Sequence, residues 1–424
     1  MVSSRSDAAS AAAFKEQMAS LQKRSAATLK LGPPAWLTHP HCTEGPLNAD
    51  ELHSFFHDGF LIKHGLFAPA ELRPVMNDIE KQVDSLASTL LSAGLITDSA
   101  PSLGFYQRMA ALEKQFPGAS VLLHKTPALP PSFQSLWTDN RLLDIAQQLL
   151  GGRDIDVAGH PVWNLRVKVP QTDSSVVPWH QDAAYLDPES AHTLQVTAWI
   201  PFINATARNG CLQVIRGAHR TGKTAKHTCC AGGTWYVQMD MDDASSRLGV
   251  NCHDEGEWET CEVPLGSVLF LSNLIPHRSL ANSSPDIRWS VDLRWQDANQ
   301  PTGFWGIKDH VLMRRGSREG GKESEEEENF MVRWDEFLAV DRGKAQSKAA
   351  ANATHVQEDE DGKEGGKEEV SAAVAAGADE LKPVIAGPWM LRWEITNHNA
   401  HTAELEEVGA EGGEDAVPAS WHKA

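Results

Sequence analysis

The spacing of apolar and polar positions predicts helices in the first third of the chain and strands after it. Asn48 or Asp50 can cap a helix over 51–57, because a side-chain oxygen there satisfies a free backbone N–H. FLIKHGLF then predicts a short strand. A longer helix is predicted after Pro69, and its apolar face consists of Leu72, Val75, Met76, Ile79 and Val83. Another helix is predicted over 139–150, ending at Gly151-Gly152.

From Asp154 to about Gln296 the pattern changes to short apolar runs separated by Gly, Pro, Asn and Asp. The predicted strands are HPVWNLRVKV, TLQVTAWIPF, CLQVIRG, TCEVPLGSVLFLS and IRWSVDLRW. Evenly spaced antiparallel strands of this kind are typical of a double-sheet jelly roll. The predicted fold class is therefore mainly β with α (α+β). It has a double-stranded β-helix core, cupin-like, flanked by N-terminal helices.

Composition shifts divide the chain into segments. The sequence predicts an irregular N-terminal segment, 1–45, with one helix near 11–24, and a single domain formed by 46–310 and 383–403. The jelly-roll core of that domain spans about 154–297. An acidic, low-complexity insertion is predicted over 317–381, with NFMVRWDEFLAV as one ordered piece, and an acidic tail over 404–424.

Charge and hydropathy disfavour nucleic-acid binding and a membrane-spanning protein. The 424 residues carry a formal net charge of -19, much of it in the acidic runs, which disfavours nucleic acid as a partner. We find no apolar run of roughly 18 residues, so no membrane span is expected. The N-terminus lacks a secretory apolar core and SWHKA is not a peroxisomal address. We expect a cytoplasmic protein with a small-molecule substrate and no obligate protein partner, with organelle import left open.

The stretch PWHQD places His180 and Asp182 two residues apart. In extended backbone such side chains share a face, so both can approach one ion. His277, after GSVLFLSN, is the best placed third ligand. Two imidazoles and one carboxylate favour non-haem Fe(II) and oxygen chemistry. Alone, the HxD pair is equally compatible with a partly exposed histidine beside a turn-forming aspartate.

The strand IRWSVDLRW alternates strictly between two kinds of side chain. One face carries Ile287, Trp289, Val291, Leu293 and Trp295, and the other carries Arg288, Ser290, Asp292 and Arg294. A polar face of this kind suits a lumen that holds a charged ligand, and the planar fork of Arg288 matches a carboxylate. The alternative is that Arg288 pairs with a nearby acid on the surface.

Taken in order, WHQD, TAWIPFINATARNGCLQVIRGAHR and GSVLFLSNLIPHRSLANSSPDIRWSVDLRW resemble the phytanoyl-CoA dioxygenase family of Fe(II)/2-oxoglutarate oxygenases. The resemblance covers about 50–306, with an echo at GPWMLRWEITNHNAHT. The chain departs from the family at RGAH, where PGSH is more usual, and in its acidic insertion. The resemblance implies a hydroxylase that uses Fe(II), 2-oxoglutarate and O2, with ascorbate as a candidate reductant.

The resemblance also implies roles for individual residues. His180, Asp182 and His277 match the metal triad, and Arg288 matches the clamp for the distal carboxylate of 2-oxoglutarate. The cosubstrate contacts that it implies are Ser279, Trp199, Gln181 and Asn164. Halogenases related to the family lack the carboxylate ligand, so Asp182 favours hydroxylation. For Trp199, an ordinary core position is an equally good interpretation.

The substrate is not fixed by the sequence. The resemblance implies an acyl-CoA, an amino-acid-like molecule or a natural product. Candidates for an apolar pocket are Tyr185, Trp163, Trp235 and Tyr236, and candidates for an anion contact are Arg166, Lys168 and Arg294. Segment 223–262 is the candidate substrate cover. Two rival functions stay open: a cupin-like barrel doing non-oxidative metal chemistry, and a non-catalytic metal-binding protein.

Overall fold

The computed structural model describes residues 21, 23–25, 27–28, 31–125, 128–317, 330–340 and 381–403. Its α-helices are α1 (Ala35–Thr38), α2 (Ala49–His53), α3 (Arg73–Ser92), α4 (Arg108–Gln115), α5 (Ala119–Lys125), α6 (Pro131–Trp137), α7 (Asn140–Leu150), α8 (Met241–Leu248) and α9 (Trp334–Ala339). One π-helical turn covers Ser54–Asp58, and 3₁₀ turns cover Pro69–Leu72, Asp173–Ser175, Asp182–Tyr185, Pro188–Ser190, Ala231–Gly233, Glu255–Glu257 and Pro388–Leu391.

The strands are β1 (Phe60–Lys63), β2 (Val157–Gly159), β3 (Asn164–Lys168), β4 (Val196–Pro201), β5 (Leu212–Ile215), β6 (His227–Cys229), β7 (Val237–Met239), β8 (Trp258–Cys261), β9 (Val268–Ser272), β10 (His277–Ser279), β11 (Arg288–Asp297), β12 (Val311–Arg314) and β13 (Glu394–Ile395). The strands β1, β3, β4, β5, β8, β9 and β11 overlap the predicted strands. The pattern missed the helices α1, α4, α5 and α6 and the strands β2, β10, β12 and β13, and it missed β6, β7 and α8 within 223–262.

The helices begin and end for the local reasons that the sequence indicates. Asn48 accepts hydrogen bonds from the backbone N–H groups of Asp50 and Glu51, so it is the cap of α2. Asp139 caps α7, and Gly151 ends it with φ 134°, a conformation that suits glycine. The predicted apolar face of α3 is buried, with Ile79 fully inaccessible to solvent.

The larger sheet has the order β1-β9-β4-β11-β2-β12, and β3 also pairs with β11. Each pair of neighbouring strands in this sheet runs antiparallel. The ten-residue strand β11 lies at its centre, with β4 on one side and with β3 and β2 on the other. This central position puts both faces of β11 out of contact with water.

A second antiparallel sheet, β10-β5-β8, packs on the first. Phe60, Trp199 and Leu271 of the larger sheet share one apolar cluster with Leu212 and Val214 of the second. The two sheets of the described chain face each other without closing into a barrel. The fold is α+β with a jelly-roll core, as the strand spacing predicts.

The two faces of β11 have different surroundings. Trp289, Val291, Leu293 and Trp295 enter the main apolar core, which also contains side chains of α3, α6 and α7. Arg288, Asp292 and Arg294 are on the opposite face, where they line a cavity. The core therefore fixes the strand on one side, and charged groups are presented on the other.

A third small sheet, β13-β6-β7, joins the segment after the insertion to the main domain. Cys229, the last residue of β6, forms a disulfide with its neighbour Cys230. Most of the helix predicted near 11–24, most of the insertion over 317–381 and the tail over 404–424 lie outside the described residues, although residues 21 and 23–24 are described and helical. The ordered piece within the insertion contains α9. No helix in the described part of the chain combines the length and hydropathy that crossing a bilayer requires.

Candidate active site

The two histidines of the predicted triad are brought together by their own backbones. The N–H of His180 donates to the carbonyl of His277 over 3.0 Å, and the N–H of His277 donates back over 2.9 Å. This isolated bridge between distant parts of the chain sets the two rings 4.2 Å apart, centroid to centroid. Because β10 is paired with β5 of the second sheet, the position of His277 is fixed by that sheet as well.

Both rings present the same nitrogen to the cavity. His180 Nδ1 lies 2.9 Å from the carbonyl oxygen of Pro178, and His277 Nδ1 lies 3.0 Å from that of Ile275. A carbonyl oxygen can only accept, so each Nδ1 carries the proton and each Nε2 keeps its lone pair. A backbone contact of this kind fixes the tautomer and the ring orientation of a metal-binding histidine.

Asp182 completes the cluster. Its Oδ1 lies 3.5 Å from His180 Nε2 and 3.8 Å from His277 Nε2. One ligand atom from each of the three residues falls within 4.8 Å of the others, and all three residues are buried. A buried, closely spaced group of two imidazoles and a carboxylate fits a divalent metal ion. Burial deprives these polar atoms of hydrogen bonds to water, and coordination to the ion would compensate them.

The other oxygen of Asp182 is held by Arg294. Arg294 donates to Oδ2 from Nη2 over 2.9 Å and from Nε over 3.3 Å, and the Thr197 hydroxyl donates over 3.4 Å. Burial alone would raise the pKa of Asp182, but the Arg294 cation and the two histidines hold that pKa well below its usual range. Burial lowers the pKa of His277 to about 4, so this imidazole is neutral at pH 7. Both ligands are therefore in the protonation state that binds a metal.

Arg288 lies in the same cavity as the triad and is not on the surface. Only 3% of it is exposed, its Nη1 donates to Ser290 over 2.6 Å, and its Nη2 donates to the Gly210 carbonyl over 3.0 Å. Its Nε is buried and has no hydrogen-bond partner among the described residues. A buried donor without a partner is costly, and an anionic ligand in the cavity would satisfy it.

Ser279 is beside Arg288 on the wall of this cavity. Its Oγ accepts from Lys168 Nζ over 2.8 Å and from the Val177 N–H over 2.9 Å. Lys168 also donates to the Ser175 carbonyl over 2.6 Å. Burial, with Arg288 and Arg166 nearby, holds the pKa of Lys168 well below its usual value. The sequence indicated Ser279, but the pairing with Lys168 was missed, because the lysine comes from β3 and only the sheet brings the two together.

The remaining candidates for cosubstrate contacts occupy different places in the structure. Trp199 lines the cavity and lies under the Arg288 guanidinium, 5.1 Å from ring centroid to Cζ. Gln181 does not line either cavity: its amide is tied to the backbone of Lys223, Ala225 and Leu274. A residue between two ligands on an extended chain points away from them, which explains this placement of the Gln181 amide; its assignment as a cosubstrate contact stays a prediction. Asn164 lines a second cavity instead.

That second cavity, of about 900 Å³ including space open to solvent, adjoins the first. Asp182, Arg166 and Arg294 line both cavities. Of the apolar candidates, Tyr185, Trp235 and Tyr236 line the second cavity. Trp163 belongs instead to the main core, where its ring lies 5.7 Å from that of Phe133. The structure adds Ile385 and Trp389 to the lining, and no local sequence signal pointed to them.

Arg166 and Arg294 are ion-paired rather than free for a ligand. Arg166 donates to Asp292 Oδ2 over 2.8 Å, and Arg294 reaches the same oxygen at 3.9 Å. With Asp182 they form a row of alternating charge in which Arg166 is partly exposed and the other members are buried. The sequence predicted both arginines as candidates for an anion contact, but their mutual pairing depends on strand register.

The triad leaves the other side of a bound ion open for further ligands, as in non-haem Fe(II) sites. The same cavity is lined by Arg288, whose Nε is a buried donor with no partner among the described residues and is therefore available to an anionic ligand. A jelly roll with this pairing of metal site and cation defines a class, the Fe(II)/2-oxoglutarate-dependent oxygenases.

Comparison with known proteins places the chain within that class. The family model for phytanoyl-CoA dioxygenase (PhyH) matches residues 55–290, more than half of the chain, so the protein belongs to this family. A phytanoyl-CoA dioxygenase of Arabidopsis thaliana is 23% identical over 290 residues, covering 64% of this chain and 95% of that protein.

Solved structures with a similar fold include EctD from S. alaskensis in its apoform, which is 20% identical with a TM-score of 0.40 and covers 64% of this chain and 83% of its own. The non-heme monooxygenase ThoJ, in its apo form, is 18% identical with a TM-score of 0.44 and covers 72% of this chain and 100% of its own.

Proposed function

We propose that this protein is a hydroxylase that inserts one oxygen atom of O2 into a C–H bond of a small organic substrate and converts 2-oxoglutarate to succinate and CO2. The observation that carries the proposal is the buried cluster of His180, Asp182 and His277 in one cavity with Arg288. Family membership supports the oxygenase class. The substrate classes to test are acyl-CoAs, amino-acid-like molecules and natural products.

His180 Nε2, His277 Nε2 and Asp182 Oδ1 would hold the iron, because one ligand atom from each residue lies within 4.8 Å of the others. When bound, Fe(II) and 2-oxoglutarate together supply the activation of O2, which the side chains of this chain do not. The Nδ1 bonds to Pro178 and Ile275 keep both imidazoles in the metal-binding tautomer. Arg294 holds the carboxylate in one rotamer, so Oδ1 stays turned to the metal position.

Arg288 would bind the distal carboxylate of 2-oxoglutarate through Nε, the nitrogen that has no protein partner in the described chain. Ser279 and Lys168 contribute polar groups to the same wall. Burial lowers the pKa of Arg288 to about 10, which still leaves it charged at neutral pH. These groups fix the length and orientation of the cosubstrate, and Trp199 packs against the guanidinium to exclude water.

The carboxylate of Asp182 supports hydroxylation over halogenation, because it fills the position that a halide needs on the metal. Its fixed rotamer strengthens that argument, since Arg294 prevents Asp182 from turning away. The substrate would enter the second cavity, which meets the metal position at Asp182. Hydrogen abstraction is then directed at whichever carbon the cavity wall places nearest.

A screen of the three substrate classes with Fe(II), 2-oxoglutarate, O2 and ascorbate tests the proposal. The expected result is succinate release stimulated by one class, with one 18O atom from labelled O2 in the organic product. Metal binding without succinate release under any condition would favour the rival, a non-oxidative or non-catalytic metal-binding jelly roll. A product that carries a double bond and no label would keep the oxygenase class and reject the hydroxylation.

A further inference from the structure

We propose that residues 381–403, the segment that follows the acidic insertion, form a wall of the substrate cavity, and that Trp389 and Ile385 select an apolar group of an anionic substrate. This inference rests on the proposed function, because it takes the second cavity as the place where the substrate lies. The segment is outside the region matched by the family model, which ends at residue 290. It is therefore a feature of this chain that the matched region does not supply.

The segment is fastened to the turn that follows the metal-binding aspartate. Arg392, only 6% exposed, donates from Nη1 to the Ala183 carbonyl over 2.6 Å and also to the Leu186 carbonyl. Trp393 Nε1 donates to the Ala184 carbonyl over 2.8 Å. These bonds satisfy the carbonyls of the 3₁₀ turn Asp182–Tyr185, so the position of the segment and of that turn are coupled.

A second set of contacts holds the segment to the chain around β6. Glu394 and Ile395 of β13 pair in parallel with Thr228 and Cys229. Asn399 Nδ2 donates to the Thr234 carbonyl over 3.1 Å, and Trp389 Nε1 donates to the Trp235 carbonyl over 3.3 Å. The segment thus spans from the turn after Asp182 to the loop that carries Trp235, and it is held at both ends.

Between these attachment points the segment faces the second cavity. Ile385 and Trp389 line it together with Asp182 and Arg294, which also line the first cavity. The Trp389 ring meets the Tyr185 ring edge-on at 6.1 Å, and Trp235 completes an aromatic corner. Aromatic side chains of this size bury large apolar areas at little conformational cost, so the corner suits a ring or an alkyl chain.

The charges around the two cavities favour an anionic group on the part of the substrate that does not contact Trp389 and Ile385. The cations that line them are Lys125, Arg166, Lys168, Arg278, Arg288 and Arg294, whereas the carboxylates are Asp182 and Asp292. A divalent metal and a dianionic cosubstrate cancel each other. Positive charge remains even with Lys168 neutral, so a substrate that carries a carboxylate or phosphate is favoured and an amine is disfavoured.

Two probes of equal shape and opposite charge test this, namely 4-phenylbutanoate and 4-phenylbutylamine. Titration calorimetry on the full-length protein, loaded anaerobically with Fe(II) and 2-oxoglutarate, measures their affinity without turnover. We expect the acid to bind more tightly than the amine. Trp389→Ala should weaken acid binding roughly tenfold or more, because the buried apolar contact with the phenyl ring is lost.

Leu391→Ala is the matched control, because Leu391 packs in the same apolar cluster as Trp389 but lines neither cavity. It should leave the acid affinity within about twofold, a change of less than 1 kcal/mol. Trp389→Phe keeps an aromatic wall and should retain most of the affinity. If Trp389→Ala does not fold, Ile385→Ala carries the same expectation from the neighbouring wall position.

Each contrary result overturns the inference. These results are no binding of the acid at millimolar concentration, equal binding of the amine, or equal loss in Trp389→Ala and Leu391→Ala. Binding affinity and succinate release together distinguish the proposed cavity wall from the proposed oxygenase function. Selective acid binding that depends on Trp389, in a protein that releases no succinate, would sustain the cavity wall and reject the oxygenase function.

Discussion

Arg294 directs two of its nitrogens to a single oxygen of Asp182, and this leaves the other oxygen facing His180 and His277. Nη2 and Nε lie 2.9 Å and 3.3 Å from Oδ2, and Oδ1 lies 3.5 Å and 3.8 Å from the two histidine Nε2 atoms. The carboxylate therefore presents one oxygen to the metal position and cannot offer both. Arg294, six residues after the proposed cosubstrate clamp Arg288 and on the same face of β11, is thus a positioning residue for Asp182.

Arg294→Lys is expected to weaken metal binding by about 10–100-fold, the usual cost of losing a partner that orients a ligand. A lysine keeps the charge but cannot reproduce two donors at the geometry of a guanidinium. The measurement is Fe(II) or Mn(II) affinity by anaerobic titration. Arg216→Lys is the control, because Arg216 pairs with Asp58 and Glu259 on the surface. Equal metal affinity in the two variants would contradict the positioning role.

Arg294→Ala is expected to be a stability variant as well. It removes the cation that lies between Asp182 and Asp292, both buried; Asp182 loses its guanidinium partner, while Asp292 keeps Arg166. Removing one member of a buried ion pair costs about 3–5 kcal/mol. We expect a lower melting temperature that bound metal partly restores, since the ion would neutralise Asp182. An unchanged melting temperature would show that these charges are solvated.

His277→Ala is expected to abolish specific metal binding. One of three ligands is lost, and the backbone bridge to His180 remains, because it uses only main-chain atoms. The fold should therefore survive while the metal-induced rise in melting temperature disappears. Thermal melts with and without Mn(II), in wild type and variant, measure this. A variant that keeps the metal-dependent rise would remove His277 from the proposed triad.

Arg288→Ala is expected to raise the half-saturating 2-oxoglutarate concentration with little effect on metal affinity. A hydrogen bond to a charged group is worth about 1.5–3 kcal/mol, or roughly 10–150-fold in affinity. Ser290→Ala should have a smaller effect, because it removes only the partner of Arg288 Nη1. The two affinities are measured separately, by metal titration and by uncoupled succinate release. Equal saturation curves in wild type and Arg288→Ala would reject the clamp.

Much of this site could be predicted because it follows from alternation along strands. His180 and Asp182 share a face for that reason, and Arg288 and Arg294 share the polar face of β11. The same rule, applied strictly, places Gln181 on the opposite face, where it ties three backbone groups. The family resemblance implies a cosubstrate contact for Gln181, and that assignment stays a prediction.

The contacts that could not be predicted are those between residues far apart in sequence. Lys168 meets Ser279 only because β3 and the second sheet face each other, and no local pattern encodes this distance. Trp389 lines the second cavity although it follows the acidic insertion in sequence, and the composition of that insertion does not indicate where the next segment packs. A local sequence pattern predicts which face of a strand a side chain occupies, but strand register and tertiary packing determine which residues it contacts.

Lys168 gives a prediction about protons. Its Nζ is buried between Ser279 and Ser175, and burial together with Arg288 and Arg166 holds its pKa well below the usual value. A depressed pKa favours the neutral amine, and a carboxylate brought next to Lys168 favours the charged form. Binding of 2-oxoglutarate should therefore raise this pKa, so that protons are taken up on binding.

Titration calorimetry of 2-oxoglutarate binding, repeated in two buffers that differ in ionisation enthalpy, measures that uptake directly. The expected result is a buffer-dependent binding enthalpy in wild type that is lost in Lys168→Met, a substitution that keeps the length of the buried chain. Lys63→Met is the control, because Lys63 pairs with Glu51 away from the site. Proton release on binding, or the same uptake in Lys168→Met, would show that the amine is charged throughout. Lys168, which donates to Ser279, would then carry a fixed positive charge that attracts 2-oxoglutarate without a change in its own protonation.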